Sequence, residues 1–375
     1  MRIGIFETTH FEGAYPVIRS FDRSDNQITI FTYEESFRQF QFLFANDMPR
    51  YKWVVKGKEE SKYVFIRRIY KETKEQQLQL LYLNTISDNF IFYSWMISFL
   101  KPIRVIVTLH SINNYFNHSN ALTLRRIVRT MGKKSLMRVV NEFNVVALTM
   151  VDYLKERLPA SKKVHCVPGA VYEGRSGRIY PREMPVVIKL VVPGVIDERR
   201  RDYGLVLQLV EKLQERGMQI TICLLGGISP IFGKIILQKL KSRKWEGLHY
   251  YDVPVVDQPE FDRVMDEADL VFLPSTIHNK IIDDIPEVYG LTMSSGNLFD
   301  IIKHAKPFIA PRGLRVDPFL EGSCLRYESV DEIVDILSAL INSPEVIDSL
   351  RSKAKAASEN YSIEAVRKRN EDLFG

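Results

Sequence analysis

The sequence predicts an α/β protein with two tandem doubly wound domains facing each other across a cleft. Three observations predict it. Short apolar, β-branched runs alternate with segments of helical period, the pattern of parallel sheets covered by helices. That alternation halts at Pro168-Gly169, crosses a stretch rich in Gly, Arg and Pro, and begins again. And 375 residues, 45% of them hydrophobic, suffice for two cores rather than one. The expected units are 1–170 and 186–375, joined by a linker at 171–185, with the last helix packing back on the first unit.

In chain order, residues 3–6 form an opening apolar strand, and 7–16 a polar turn containing Gly13 and Pro16. Residues 27–32 read as a strand and 35–44 as a helix. A weak strand at 52–55 precedes a basic helix at 62–74. A strand at 78–83 precedes an apolar helix at 90–100. The β-branched strand 105–109 ends at His110. A long basic helix covers 123–143, and strands at 145–148 and 164–167 flank a further helix. The second unit opens with a strand at 186–192, stopped by Pro193-Gly194. Then come an amphipathic helix at 203–215, a strand at 220–225 ending at Gly226-Gly227, and a helix at 231–241. A strand at 248–251, a helix at 260–268 and a strand at 270–273 come next. Ser295 and Gly296 open a helix that Lys306-Pro307 breaks, before a buried strand at 308–310. Two or three helices from residue 330 onward end the chain.

The charge is uneven. Residues 1–185 carry 28 Lys+Arg against 17 Asp+Glu, a net +11, while residues 186–375 carry 24 against 29, a net −5. The basic first half therefore suits an anionic partner. Its basic stretch from Arg125 through Lys134 to Arg138 interleaves with Leu122, Leu124, Val128 and Met131. That pattern fits a solvated face or an anionic membrane surface equally. It carries no stacking aromatics, so nucleic acid is not expected. Three cysteines without metal-like spacing argue against a disulfide framework or zinc site and suit a reducing cytoplasm. The first ten residues show no apolar leader segment. The longest apolar run, 90–100, is interrupted by Ser94 and Ser98 and is too short to span a bilayer.

In parallel sheets, ligands sit beyond the carboxyl ends of the strands. The residues there are His10, Glu12 and Gly13; His110; Gly194, Arg200 and Arg201; Gly226; and the run Glu287, Tyr289, Gly290, Thr292, Ser294, Ser295, Gly296, Asn297, Asp300. A Ser/Gly cluster opening a helix offers unpaired N–H groups to an anion. Arg201 at a helix start can reach a phosphate. Glu287 and Asp300 suit sugar or ribose hydroxyls, so the set fits a nucleotide diphosphate-sugar. His110 can act as a base or bind a sugar hydroxyl. A P-loop and a dinucleotide fingerprint are both missing, and no nucleophile–base pair is readable from spacing.

The order of VTLHSI, KVHCVPGAVYE, VVPGVIDERRRDYGLVLQLVEKL, ITICLLGG, ADLVFLPS and EVYGLTMSSGNLFDIIKHAKPFIAP resembles the glycosyltransferases of the two-Rossmann (GT-B) fold, especially glycosyltransferase family 4. The resemblance implies a cytoplasmic, metal-independent glycosyltransferase of hexosyltransferase type, acting in polysaccharide or glycolipid synthesis. It needs no cofactor beyond the nucleotide diphosphate-sugar co-substrate. The second unit would bind that donor. The first would bind a glycan or lipid-diphosphate-linked acceptor, at the inner membrane face, through His10, Glu12 and Gly13. Gly194 and Arg201 would approach the diphosphate, and Thr292, Ser295 and Gly296 would line it. Glu287 would match the first acid of the family's E-x7-E motif, near the transferred sugar, and with His110 is expected to be catalytic. Eight residues on stands Ser295; aligning on Lys306-Pro307 puts Asp300 in the second, ribose-binding place. The rival readings are a non-catalytic nucleotide-sugar-binding protein and a two-Rossmann nucleotide-sugar epimerase.

Overall fold

Strand β1 (Arg2–Glu7) lies inside a seven-stranded parallel sheet, third from one edge. Around it run β2 (Gln27–Tyr33), β3 (Lys52–Lys56), β4 (Leu80–Leu83), β5 (Arg104–Thr108), β6 (Glu142–Val145) and β7 (Lys163–Cys166). The order is β3-β2-β1-β4-β5-β6-β7, with Ile3 paired to Ile28 on one side and Leu80 on the other. Both faces are covered, so β1 is buried along all but its first residue. Ile3 and Ile5 enter one core cluster and Phe6 the other, as the two-residue period of a strand requires. The computed structural model of the chain describes residues 1–117, 123–174, 187–242, 245–281 and 284–375. Most of the expected linker, together with Leu122 and Val186, lies outside the described residues.

The second sheet is built the same way from β8 (Ile188–Pro193), β9 (Ile220–Leu225), β10 (Leu248–Tyr250) and β11 (Leu270–Phe272). A two-stranded antiparallel hairpin, β12 (His278–Asn279) with β13 (Glu287–Val288), stands apart. β14 (Phe308–Pro311) and β15 (Cys324–Tyr327) complete the order β10-β9-β8-β11-β14-β15. The expected two tandem doubly wound domains are therefore observed. In each, the chain leaves the central strand in opposite directions, so a topological switch point lies between β1 and β4, and between β8 and β11.

Five features differ from the sequence expectation. Residues 11–16 are not a turn but the first part of a helix, Phe11–Phe21. Burying Ala14, Val17, Ile18 and Phe21 on the sheet outweighs the Gly and Pro signals. The long basic helix stops at Val139, because Phe143 and Val145 are needed as buried strand residues of β6. The strand expected at 145–148 is thus displaced toward the amino end. β15, half-buried along most of its length, lacks the apolar run that would have signalled it. The helix expected from residue 231 begins only at Lys234.

The chain's end packs on the first domain. Val366, Leu373 and Phe374 join its core, with the Phe374 ring 4.7 Å from that of Phe21. Arg367 donates to the carbonyls of Ser20 (2.9 Å), Arg19 (3.0 Å) and Asp22 (2.9 Å), satisfying acceptors left over where the helix Phe11–Phe21 ends.

Candidate functional site

At the first switch point, Glu7 is fully buried and organises the strand ends. Its Oε1 accepts from the backbone N–H of Thr8 (2.6 Å), Thr9 (2.6 Å) and His10 (2.7 Å). Its Oε2 accepts from Asn84 Nδ2 (2.6 Å) and Thr85 Oγ1 (2.8 Å), beyond the end of β4. Thr85 Oγ1 in turn lies 3.2 Å from His110 Nε2, beyond β5. That Nε2 is 2.9 Å from the Asn84 carbonyl, which can only accept. Nε2 therefore carries the proton, and Nδ1 keeps its lone pair. Burial, then the neighbouring His10 ring 5.1 Å away, lowers His110 to about 4, so it is neutral near pH 7. Gly13 stands at the same corner, with space for a Cβ 3.9 Å from Asn84 Nδ2 and 4.0 Å from His10 Cβ.

At the second switch point Gly194 has φ +92°, and a Cβ there would sit 2.2 Å from Arg201 Nη2. Only glycine leaves room for this arginine. Arg201 Nη1 donates to Val195 O (2.8 Å) and Nη2 to Pro193 O and to Asn297 Oδ1 (3.0 Å). It joins the strand end to the start of the helix Gly296–His304. Asn297 Nδ2 also donates to Pro193 O (2.6 Å). Ser295 does not cap this helix: its hydroxyl turns to Asn297 Oδ1 at 3.4 Å. Asp202, Asp257 and Ser329 do cap the helices they precede. Gly296 is exposed, and a Cβ there would meet nothing within 4 Å. The helix start thus has no side-chain cap, and its exposed Gly296 lies next in the chain to Asn297, which accepts from a buried guanidinium.

The two edges meet across the gap. Burial pushes Asp300, on this helix, up to about 7, with Glu12 of the first domain the next largest cause. Glu12 keeps an exposed surface, yet the protein around its carboxyl raises it against the pull of Lys303. His304 is buried, with Nδ1 2.8 Å from Asp266 and Nε2 3.3 Å from Asp262. Burial works against its charge, but the two aspartates prevail and raise it.

Glu287 has a different place. It is 1% exposed, and it ties the domains together. Oε1 accepts from Asn114 N–H (2.9 Å) of the first domain, and Oε2 from Thr292 Oγ1. Asn113 Nδ2 donates to Pro286 O (2.9 Å) and Ile112 N–H to Thr292 O (2.7 Å). Burial pushes Glu287 up to about 7 in spite of the bonds from Thr292 and Asn114. Thr292 is itself buried, and its hydroxyl also accepts from Val288 N–H (2.8 Å).

Other candidates sit in tight turns, in the core or in surface pairs. Gly290 (φ +80°) turns the chain where a Cβ would sit 2.0 Å from Arg315 O. Tyr289 is buried in the second domain's core. Gly226 packs against Gly194, where a Cβ would sit 2.3 Å from that residue's carbonyl. Arg200 pairs loosely with Asp197 (3.7 Å). Ser294 lines a small interdomain cavity with Phe299 and Leu298, offering about 20 Å³ of space. The structure thus gathers His10, Glu12, Gly13, His110, Gly194, Arg201, Ser295, Gly296, Asn297 and Asp300 along the two facing edges. It holds Glu287, Tyr289, Gly290, Thr292 and Gly226 in packed turns. Sequence reasoning placed Glu7 at a ligand-gathering strand end without an organising role, and missed Asn84 and Thr85, although each stands just beyond the end of a buried strand. It also missed Asn113 and Asn114, which carry no signal. Among the described residues no cluster of His, Cys, Asp and Glu suits a metal ion.

No protein-family model matches the sequence, and a search of curated proteins finds no relative. Solved structures do resemble the fold. The Anabaena protein HepE, in complex with UDP and glucose, superposes with a TM-score of 0.67 at 11% identity, over 99% of this chain and 98% of that one. The lipopolysaccharide outer core galactosyltransferase WaaB gives 0.61 at 10% identity, over 99% and 98%. The UDP-GlcNAc 2-epimerase from Neisseria meningitidis, bound to UDP-GlcNAc, gives 0.57 at 12% identity, over 98% and 100%. The fold of this chain is the two-Rossmann GT-B fold, which these proteins share.

Proposed function

We propose that this chain is a glycosyltransferase that takes a sugar from a nucleotide diphosphate-sugar. The observation that carries the reading is the uncapped start of the helix Gly296–His304 beside Arg201, at the second switch point. Open N–H groups and a guanidinium favour the charge that grows on a leaving diphosphate. Across the gap, neutral His110 offers Nδ1 to an acceptor hydroxyl as general base. Glu12 and Asp300 hold sugar or ribose hydroxyls. Glu287 acts as a positioning residue, fixing the distance between the two edges. Membership of glycosyltransferase family 4 belongs to the same reading and rests on the motif order.

A second reading has its own support. The charge of Glu12 reaches Asp300 across the gap, and both carboxyls have raised proton affinity, as groups that move protons at a sugar carbon would. That would make the chain an epimerase of the nucleotide-sugar. UDP- and GDP-sugars in a thermal-shift screen test the shared premise, because a bound donor raises the melting temperature. A rise with one donor, and then sugar transfer only when an acceptor is supplied, is the expected result. A changed sugar without any acceptor favours the epimerase. No shift with any donor, UDP or GDP rejects both.

A further inference from the structure

Two neighbouring helices of the first domain leave large apolar side chains in water. Helix Phe90–Ser98 meets helix Leu124–Val139 at Gly132, where a Cβ would sit 2.8 Å from the Ile91 nitrogen. Further along, Ser94 Oγ and Ser135 Oγ are 2.5 Å apart, so the helices run side by side in one direction. Beside this seam the first helix and its end carry Ile91, Trp95 and Phe99. Trp95 is 58% and Phe99 56% exposed, with rings 5.5 Å apart. The second carries exposed Leu124, Val128 and Met131. On each helix the spacing is three or four residues, so each set forms one stripe. On the second helix the stripe continues at the same spacing as Lys134 and Arg138, both exposed, and Arg125 is exposed beside Leu124. Its amino end lies where the domains meet, since Arg126 Nη2 is 3.6 Å from Asp284 of the second domain.

We propose that this face docks on an anionic phospholipid bilayer, lying in the plane of the headgroups. The apolar stripes would enter the acyl boundary, and Arg125, Lys134 and Arg138 would meet the lipid phosphates. Tryptophan and phenylalanine suit that boundary. Charge selects the occupant: the face belongs to the half of the chain with net +11, and a second copy would set basic face against basic face. Among the described residues no helix is long and apolar enough to cross a membrane, so the contact is in-plane. It also brings the gap between the domains next to the lipid surface, independently of which reaction the gap supports.

Flotation with phosphatidylcholine vesicles containing about one-third phosphatidylglycerol, against pure phosphatidylcholine, tests it. Binding to the anionic vesicles only, weakened by salt, is expected. Lys134→Glu with Arg138→Glu should lower vesicle affinity about tenfold or more. Trp95→Glu with Met131→Glu should abolish binding, with the melting temperature unchanged because both sites are exposed. Equal binding to both vesicles, no binding to either, or binding unaltered in the Trp95→Glu, Met131→Glu variant would overturn the proposal. So would a dimer that those substitutions disperse without any vesicle binding.

Discussion

The open edge of the first sheet and that of the second hold different chemistry. Nearest the first switch point stand Glu7, His10, Glu12 and His110, and a buried carboxylate orders the backbone around them. Nearest the second stand Gly194, Gly226 and Arg201, where close backbone approach leaves room for one guanidinium and an uncapped helix start. Strand order is the same at both, so topology does not make the difference. The residues just past each strand make it. A polar loop after β1 and β4 collects titratable side chains around a buried carboxylate. A glycine after β8 and β9 collects N–H groups and positive charge. The comparison teaches that one fold can set different polar groups at the two equivalent strand edges: titratable side chains at one, a guanidinium and an uncapped helix start at the other.

The sharpest way to break that division is His110→Ala. It should cut kcat about a hundredfold to ten-thousandfold and change the pH–rate profile, while the donor KM stays put. A change in donor KM instead would put His110 on the wrong side of the comparison. Arg201→Ala comes next, lowering kcat/KM for the donor about a hundredfold to a thousandfold with the pH profile unmoved. Because Arg201 also satisfies the Pro193 and Val195 carbonyls, Arg201→Lys is the companion variant, and chemical denaturation separates lost folding from lost catalysis.

Between the halves, Glu287 gives a smaller and pH-dependent effect. Its folded carboxyl titrates at about 7 against an ordinary 4.5, so folding strengthens its hold on the proton. The stability this supplies is full below pH 4.5 and is lost as pH rises through 7, by roughly 3 kcal/mol. Urea midpoints of the wild type should fall across that window, and Glu287→Gln should flatten part of the slope. An unchanged slope would mean that the latch does not hold a proton. The least expected effect belongs to Arg367→Ala, which strips hydrogen bonds from the end of the first helix. About 1–2 kcal/mol of stability should go, with kcat untouched. A fall in kcat there would tie the chain's end to the gap.

Much of this was legible from residue order. Helix Tyr203–Glu215 and strand Ile220–Leu225 match their expected bounds, because amphipathic spacing and a β-branched run are local properties. The helix Phe11–Phe21 was not legible, since Gly13 and Pro16 are local signals that a distant sheet overrides. Nor was β15, only four residues long and interrupted by Arg326, which pairing with β14 holds as a strand.

Read alone, the sequence determined two doubly wound units and the strand ends where ligands gather, since apolar period and chain punctuation act over a few residues. Tertiary structure alone decided which polar groups at those ends remain open. Glu287 and Asp300 look alike as carboxyls near a helix start. Only the second domain's docking onto Asn113 and Asn114 buries the first as a latch, while the second stays partly exposed on the helix Gly296–His304. Burial is a sum over neighbours distant in the chain, and no local pattern contains it.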